Sequence, residues 1–388
     1  MNRLPKFSIV TPSFNQAEYI SETLESVLSQ EGEFDLEYFV MDGGSTDGSV
    51  EILKKYAERV KRGDWSGRCR RLEFHWVSEK DRGQTDAVNK GIRQSRGDYY
   101  SYINSDDLYF PGAFSKIAEI FHKHPEADLI FGDGDVIDEK GKVLWEWLSR
   151  PYRHSIMISY HFLWNDFSNY IMQQATFWRR RVVNAIGEFD ESFHYSMDVE
   201  YWVRAGARGL SLMHIPVKLG KFRMIPGTKS LSDPNVFWLD NMEILRRYNG
   251  AGSMIKYFQY FYYNAALHEG LDYETLRGAQ HRLFQRWSTL GPEELSILHR
   301  CSVSGETKAK LMIAAVSFDV GDVEKAKLQF AQVFRNNPLA ILSPSAWGIL
   351  LRIVLGKDIS SQWTTLKNRG IKSYREYRYH YRYREGRS

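Results

Sequence analysis

Asn104-Ser105-Asp106-Asp107 follows directly on the apolar-aromatic run Tyr99-Tyr100-Ser101-Tyr102-Ile103. Two adjacent acids at the end of a buried strand are costly unless something meets their charge. Carboxylates are hard oxygen donors, and such a pair can hold a divalent cation against phosphates. Acids also close strands and cap helices, so the pair alone supports a plain turn about as well. Three other clusters bear on the choice. Asp42-Gly43-Gly44-Ser45-Thr46-Asp47-Gly48 offers acceptors for a base ring N–H or ribose hydroxyls, with glycines that allow close ligand approach. Taken by itself it is also an ordinary strand-to-helix loop with Asp47 or Ser49 as N-cap. The stretch from Glu79 to Gly91 mixes charges densely, includes Asp81 and Gly83, and places Asn89 inside an otherwise good helix-forming run. Asp190-Glu191 and Met197-Asp198-Val199-Glu200 set acids beside aromatics. An acid at a helix start is often a cap, but one poised beside a phosphate-bearing site can act as a general base.

The elements that must position these residues alternate. Phe7 to Thr11 reads as a buried strand closed by Pro12-Ser13-Phe14-Asn15. A helix follows over about Ala17 to Gln30, with Ile20, Leu24, Val27 and Leu28 on one face. Leu36 to Met41, Leu72 to Ser78 and Asp98 to Ile103 read as further strands, with helices over about Ser49 to Val60 and Thr85 to Ser95 between them. This alternation predicts an α/β fold with a mostly parallel sheet flanked by helices. Ligands bind beyond the carboxyl ends of such strands. Pro12 to Asn15, Asp42 to Asp47, Glu79 to Gly83 and Asp106-Asp107 should therefore converge. Downstream, a helix is predicted from Pro111 to His124, strands over Leu129 to Asp133, Val143 to Trp147 and Gln173 to Arg179, and helices over Val182 to Gly187 and Asp198 to Gly206. From about Asp240 the pattern is helical, and Lys308 to Asn337 resembles a single tetratricopeptide-like helix pair.

Composition narrows the class. The 388 residues carry 52 Lys and Arg against 48 Asp and Glu, a formal net charge of +4, and 14% are aromatic. There is no apolar run of about 18 residues to read as a membrane span, and Met1 to Lys6 holds no signal-peptide core. Two cysteines, Cys69 and Cys301, are too few for a disulfide framework or a thiolate metal site. These features lead to the expectation of a cytoplasmic protein. No Gly-x-x-x-x-Gly-Lys-Ser/Thr loop occurs, and no Gly-x-Gly-x-x-Gly follows the first strand, so a phosphate-loop nucleotidase and a dinucleotide reader are disfavoured.

Taken together, the motifs resemble those of the family 2 glycosyltransferases, inverting enzymes of GT-A fold. The resemblance covers about Lys6 to Ser232. It rests on Ser8 to Gln16, Met41 to Ser49, Ser78 to Gly83 continuing through Asn89-Lys90-Gly91, Ile103 to Asp107, Gln173 to Phe177, and Gly187 to Asp190 with Met197 to Arg204. It implies that Pro12, Ser13 and Asn15 line a nucleotide pocket and that Asp42 contacts the base. Asp81, Gly83, Asn89, Asp106 and Arg223 join them in binding a nucleotide-sugar donor, UDP-linked in this reading. Asp107, with Asp106, would hold Mn²⁺ or Mg²⁺, and Asp198 would be the catalytic base, with Glu200 the second choice. The family often has Arg-x-His before a Ser-Lys-Ser-like segment; here the stretch is Arg223-Met224-Ile225, and Ile225 cannot ligate. Phosphate charge would then fall more on Arg223 and Lys229. The acceptor implied is a hydroxyl of a saccharide or lipid-linked saccharide. The rivals are a catalytically degenerate scaffold and a nucleotide-sugar hydrolase or pyrophosphorylase.

Three regions are expected: a catalytic domain over 1–235, a helical domain over 236–365, and a basic, tyrosine-rich tail over 366–388. The tail carries eight Lys or Arg against two Glu. Arginine among tyrosines suits an anionic membrane face, so peripheral contact at the inner membrane face is expected. Nucleic acid is not, because the rest of the chain has no basic bias. Leu339 to Leu355 is expected to be a helix that is buried or lies on a membrane.

Overall fold

The structure, a computed structural model, describes residues 4–65, 67–159, 171–225, 234–267, 273–319, 321–342, 346–348 and 350. The chain forms two compact units, Met1–Gly250 and Ala251–Ser388. The first is a mixed α/β unit of GT-A type. Its strands are β1 (Lys6–Ser13), β2 (Glu31–Asp42), β3 (Arg68–Ser78), β4 (Tyr99–Tyr102), β5 (Leu108–Tyr109), β6 (Leu129–Ile137), β7 (Val143–Trp147), β8 (Thr176–Arg179) and β9 (Leu212–Arg223). They order as β3-β2-β1-β4-β8-β6-β9-β5, with β7 also on β6. β8 is antiparallel to both β4 and β6, β5 to β9, and β7 to β6; the other pairings are parallel. Six strands therefore share one direction.

The helices are α1 (Ile20–Leu28), α2 (Ser49–Lys61), α3 (Gln84–Gln94), α4 (Ala113–Lys123), α5 (His154–Met157), α6 (Arg180–Ile186), α7 (Met197–Ala207) and α8 (Pro234–Asn249). The central strands are covered on both faces, which is why β1 and the second half of β2 are buried at successive residues rather than at alternate ones. Phe7 stacks on Phe114 at 5.1 Å and meets Phe34, Tyr99 and Phe177 edge-on. α3 lies so close to β1 that a Cβ on Gly91 would sit 2.5 Å from Val10 Cγ1. The carboxyl end of β1 is thereby locked against the helix that follows the Asp81–Gly83 loop.

Sequence periodicity finds most of these elements to within several residues but misses β5, α5 and β9. Pro216 and Gly220 speak against a strand there. The register explains the exception: Phe131 pairs with His214 and Asp133 with Lys218, so Pro216 lies in a bulge on β9, where no ladder hydrogen bond is asked of it. Gln173 to Arg179, expected as one strand, is a 3₁₀ turn over Gln173–Ala175 followed by β8.

The expected boundary after residue 235 cuts the start of α8. That helix belongs with the first unit because Asp240 accepts the N–H groups of Tyr195 and Ser196, and Tyr248 bonds Glu200. The second unit contains α9 (Ile255–Leu267), α10 (Tyr273–Arg286), α11 (Pro292–Asp319) and α12 (Val323–Asn336). α11 and α12 pack together through Leu311, Ala314 and Val333, and Asp322 caps α12 by accepting the Lys325 N–H. The expected pair is present with a longer first helix. Pro338–Leu342 is a 3₁₀ helix whose Leu339 and Leu342 are exposed. Most of the rest of the expected Leu339 to Leu355 helix, Lys229 and the basic tail lie outside the described residues. No helix among the described residues is long and apolar enough to cross a membrane.

Candidate active site

The four strand-end loops are tied into one network. Gly43 N–H donates to Ser13 O, Thr46 N–H to Asn15 Oδ1, and Asn15 N–H to Ser45 Oγ, which joins the first loop to the second. Glu79 N–H donates to Asp42 O, and a Cβ on Gly43 would lie 2.8 Å from Asp81 Oδ2, so the third loop abuts the second. Gln84 Nε2 donates to Asn104 Oδ1 at 2.6 Å, reaching the acid pair. The expected convergence of these loops is observed.

Within the network the groups differ in what they can still offer. Asp42 is buried, and its carboxylate accepts from Gly44 N, Ser45 N, Ser45 Oγ and Ser78 Oγ at 2.5–3.1 Å. These four bonds fill a carboxylate's acceptor capacity, so Asp42 shapes its loop rather than presenting a free acceptor to a base. Asp81 holds Gly83 N–H at 2.8 Å, and Gly83, at φ +115°, has a backbone that favours glycine. Pro12 is buried at the end of β1. Beside it Ser13 Oγ is buried without a hydrogen-bond partner among the described residues, a donor that a ligand could meet. Asn15, at φ +51°, is the only non-glycine residue with positive φ among those described. That backbone turn leaves the ring of Phe14 59% exposed at the rim. Sequence reasoning passed over Phe14, since an aromatic after a strand looks like core. Its exposure is what singles it out.

Asp107 is fully buried. Its Oδ1 accepts Arg223 N–H at 2.8 Å, and its Oδ2 accepts Gln174 Nε2 at 2.8 Å and Asn104 Nδ2 at 3.0 Å. Three donors fix this carboxylate and leave room for one more bond. Burial raises Asp106 to about 6, with Arg223 pulling the other way; burial and the Asp106 charge push Asp107 well above the ordinary carboxylate range. At neutral pH the pair therefore carries charge that the protein under-compensates. A divalent cation held by one or two carboxylates and completed by substrate phosphates suits such a donor set. Among the described residues no cluster of three or more acids, histidines or cysteines gathers to cage a metal unaided.

Arg223, expected among the donor-binding residues, is engaged by the protein itself. Its side chain is fully buried, with Nε on Asp106 O, Nη1 on Glu139 O, Nη2 on Glu22 at 2.5 Å, and the guanidinium over the Tyr19 ring. It is a brace for the acid pair. Asn89 is likewise spent, which explains its place in a helix. Its amide brackets Phe189, accepting the N–H at 3.0 Å and donating to the carbonyl at 2.9 Å. Asn89→Ala strands both backbone groups. It should cost about 1–3 kcal/mol in chemical denaturation while folded protein keeps its donor affinity. A stable variant with lost donor affinity would return Asn89 to the binding set.

Asp198 sits in the first turn of α7, partly exposed. The hydroxyl of Tyr102, at the end of β4, is pushed far up first by burial and then by the charges of Asp198 and Asp107. Both carboxylates therefore lie near one buried phenol. Glu200, one turn side removed, is engaged: Oε2 pairs with Arg204 at 2.9 Å and Oε1 accepts from Tyr248 at 2.8 Å, while Arg204 also holds Ile186 O and Glu188 O. Among the described residues Ser196 Oγ and Gln173 Oε1 are buried without hydrogen-bond partners, polar atoms that a ligand could satisfy.

Residues 8–185 match the family described as Glycosyl transferase family 2. This segment is similar to that glycosyltransferase family over its whole length. A PGL/p-HBAD biosynthesis glycosyltransferase of Mycobacterium tuberculosis is 27% identical over 210 residues, spanning 52% of this chain and 69% of that protein. The chondroitin synthase of Escherichia coli is 28% identical over 214 residues, 54% of this chain but only 28% of the synthase. In fold, S. aureus TarS is similar with a TM-score of 0.52 at 14% identity, over 78% of this chain and 54% of TarS. The chain thus spans about half the length of TarS. The matched family segment ends at residue 185, before α7, so Asp198 and Glu200 lie outside it, whereas the four convergent loops lie inside.

Proposed function

We propose that this glycosyltransferase is an inverting enzyme that moves a sugar from a nucleotide-sugar donor, UDP-linked in our reading, to a hydroxyl of a saccharide or lipid-linked saccharide. The observation that carries the reading is the hydrogen-bonded convergence of four loops on an under-compensated acid pair, with Asp198 close by. In this reading the base stacks on Phe14 and the ribose and phosphates lie along Ser13, Asn15 and the glycine loop. Asp106 and Asp107 hold Mn²⁺ or Mg²⁺. When bound, that cation neutralises the diphosphate leaving group. Asp198 takes the proton of the acceptor hydroxyl, whose oxygen bonds to the anomeric carbon as the bond to the diphosphate breaks on the opposite face. Glu200 and Arg204 hold α7 so that Asp198 keeps its place.

A panel of nucleotide sugars read by thermal shift, with and without Mn²⁺, tests the donor side, since a ligand of the folded state raises its melting temperature. One donor should stand out. Phe14→Ala should weaken that donor's binding by about 1–3 kcal/mol, the scale of base–aromatic stacking. A panel without any responder, or sugar released to water at the same rate with and without acceptors, would count against transfer and, in the second case, for hydrolysis.

A further inference from the structure

We propose that the β6–β7 hairpin is a membrane-contact element that seats on an anionic lipid surface. Among the described residues β7 pairs with β6 alone, so it is an edge strand. Soluble proteins usually defend such edges with charge. Here Val143 is 46% exposed, Leu144 47%, Trp145 36%, and Leu148 just beyond the strand 65%. A bulge in β7 sets Val143 opposite Ile137 and Trp145 opposite Val136, adjacent residues of β6 that face opposite ways, so Val143 and Trp145 lie on opposite sides and both sides meet water. A docked protein face would cover one side. A strand added to the edge would pair the backbone and leave both sides wet. A bilayer interface receives both.

Charge complementarity sets the kind of surface. Lys140, Lys142 and Arg150 are exposed and form no ion pair among the described residues; Arg153 is exposed as well. The acids nearby are largely answered. Glu146 pairs with Lys218 at 2.5 Å, and Asp138 accepts the N–H groups of Lys140 and Lys142 within its own turn. Glu139 is left to oppose the contact. Tryptophan with flanking Lys and Arg is suited to the headgroup region. The hairpin turn, made possible by Gly141 at φ +81°, adjoins the acid pair: Arg223 donates to both Glu139 O and Asp106 O. Delivery of a lipid-borne acceptor beside Asp106 rests on the transferase reading above; the membrane contact itself does not.

The test uses the full chain, sedimented with phosphatidylcholine–phosphatidylglycerol vesicles and with phosphatidylcholine vesicles alone. Leu144→Glu with Trp145→Glu should cut partition onto the mixed vesicles by about tenfold or more, since partition follows buried apolar area. Lys140→Gln, Lys142→Gln and Arg150→Gln together should erase the preference for the mixed vesicles with an unchanged melting temperature. If the apolar variant fails to fold, the basic variant decides alone: a lost preference supports the contact and a retained one overturns it. Wild-type binding by both variants overturns it, as does binding that disappears only in a chain ending at Thr365, which would make the tail the anchor. Wild-type protein that ignores vesicles overturns it too; if the apolar change then turns a dimer into a monomer, the edge is an interface between copies.

Discussion

Asp107→Asn should lower turnover by on the order of 10² or more with the fold intact by circular dichroism. The carboxylate is held by Arg223 N–H, Gln174 and Asn104, all donors. An asparagine amide offers one oxygen to these donors and turns its own N–H₂ toward the rest, so the change removes charge and sets donor against donor. The electrostatics give a second readout. The folded values of Asp106 and Asp107 are raised, so the folded state holds protons that the unfolded chain has already released. Without metal, the pair's contribution to stability should therefore fall as pH rises from the unfolded carboxylate value, about 3.9, through the value near 6 of Asp106. Mn²⁺ should restore that loss at neutral pH in the wild type and do so far less in Asp107→Asn. Near-normal turnover of the variant at saturating Mn²⁺ would remove Asp107 from the metal set.

The loops were legible in the sequence because strand-helix alternation fixes where strand ends must gather, and glycines and acids at those ends announce themselves. Their division of labour was not legible. Asp42, Asn89 and Arg223 carry the right chemistry for a ligand, yet Asp42 is consumed by its own 44–45 turn and the Ser78 hydroxyl, and Asn89 and Arg223 by backbone groups of distant segments, Phe189 and Asp106 with Glu139. Pairings across about 100 residues leave no local pattern. β9 was hidden for a related reason, since the bulge that accommodates Pro216 exists only against β6. Conversely, Phe14 and the exposed apolar edge of β7 look like core in sequence, because a periodic apolar run does not say whether a neighbour covers it.

Asp198→Asn should leave donor binding close to wild type and reduce the transfer rate by roughly 10² or more, the scale of a lost general base. The competing assignment is Glu200, two residues on, and the two environments differ in kind. Glu200 is buried with both oxygens engaged, one by Arg204 and one by Tyr248, in a web that also fastens Ile186 O and Glu188 O. To accept a proton from an acceptor it would have to abandon a buried ion pair, and breaking such a pair typically costs about 3–5 kcal/mol. Asp198 is partly exposed in the first turn of α7, and its charge is felt by the same Tyr102 hydroxyl that feels Asp107. Its charge is thus felt where that of Asp107 is felt. Glu200→Gln should consequently show itself as a lowered melting temperature, with donor affinity and the pH dependence of the transfer step preserved in the protein that remains folded. Asp198→Asn should do the reverse, keeping the melting temperature and abolishing the ascending limb of the rate against pH. A mild Asp198→Asn beside a Glu200→Gln that is stable but inactive would exchange the two roles, and would mean that the Arg204 and Tyr248 contacts open when the acceptor binds.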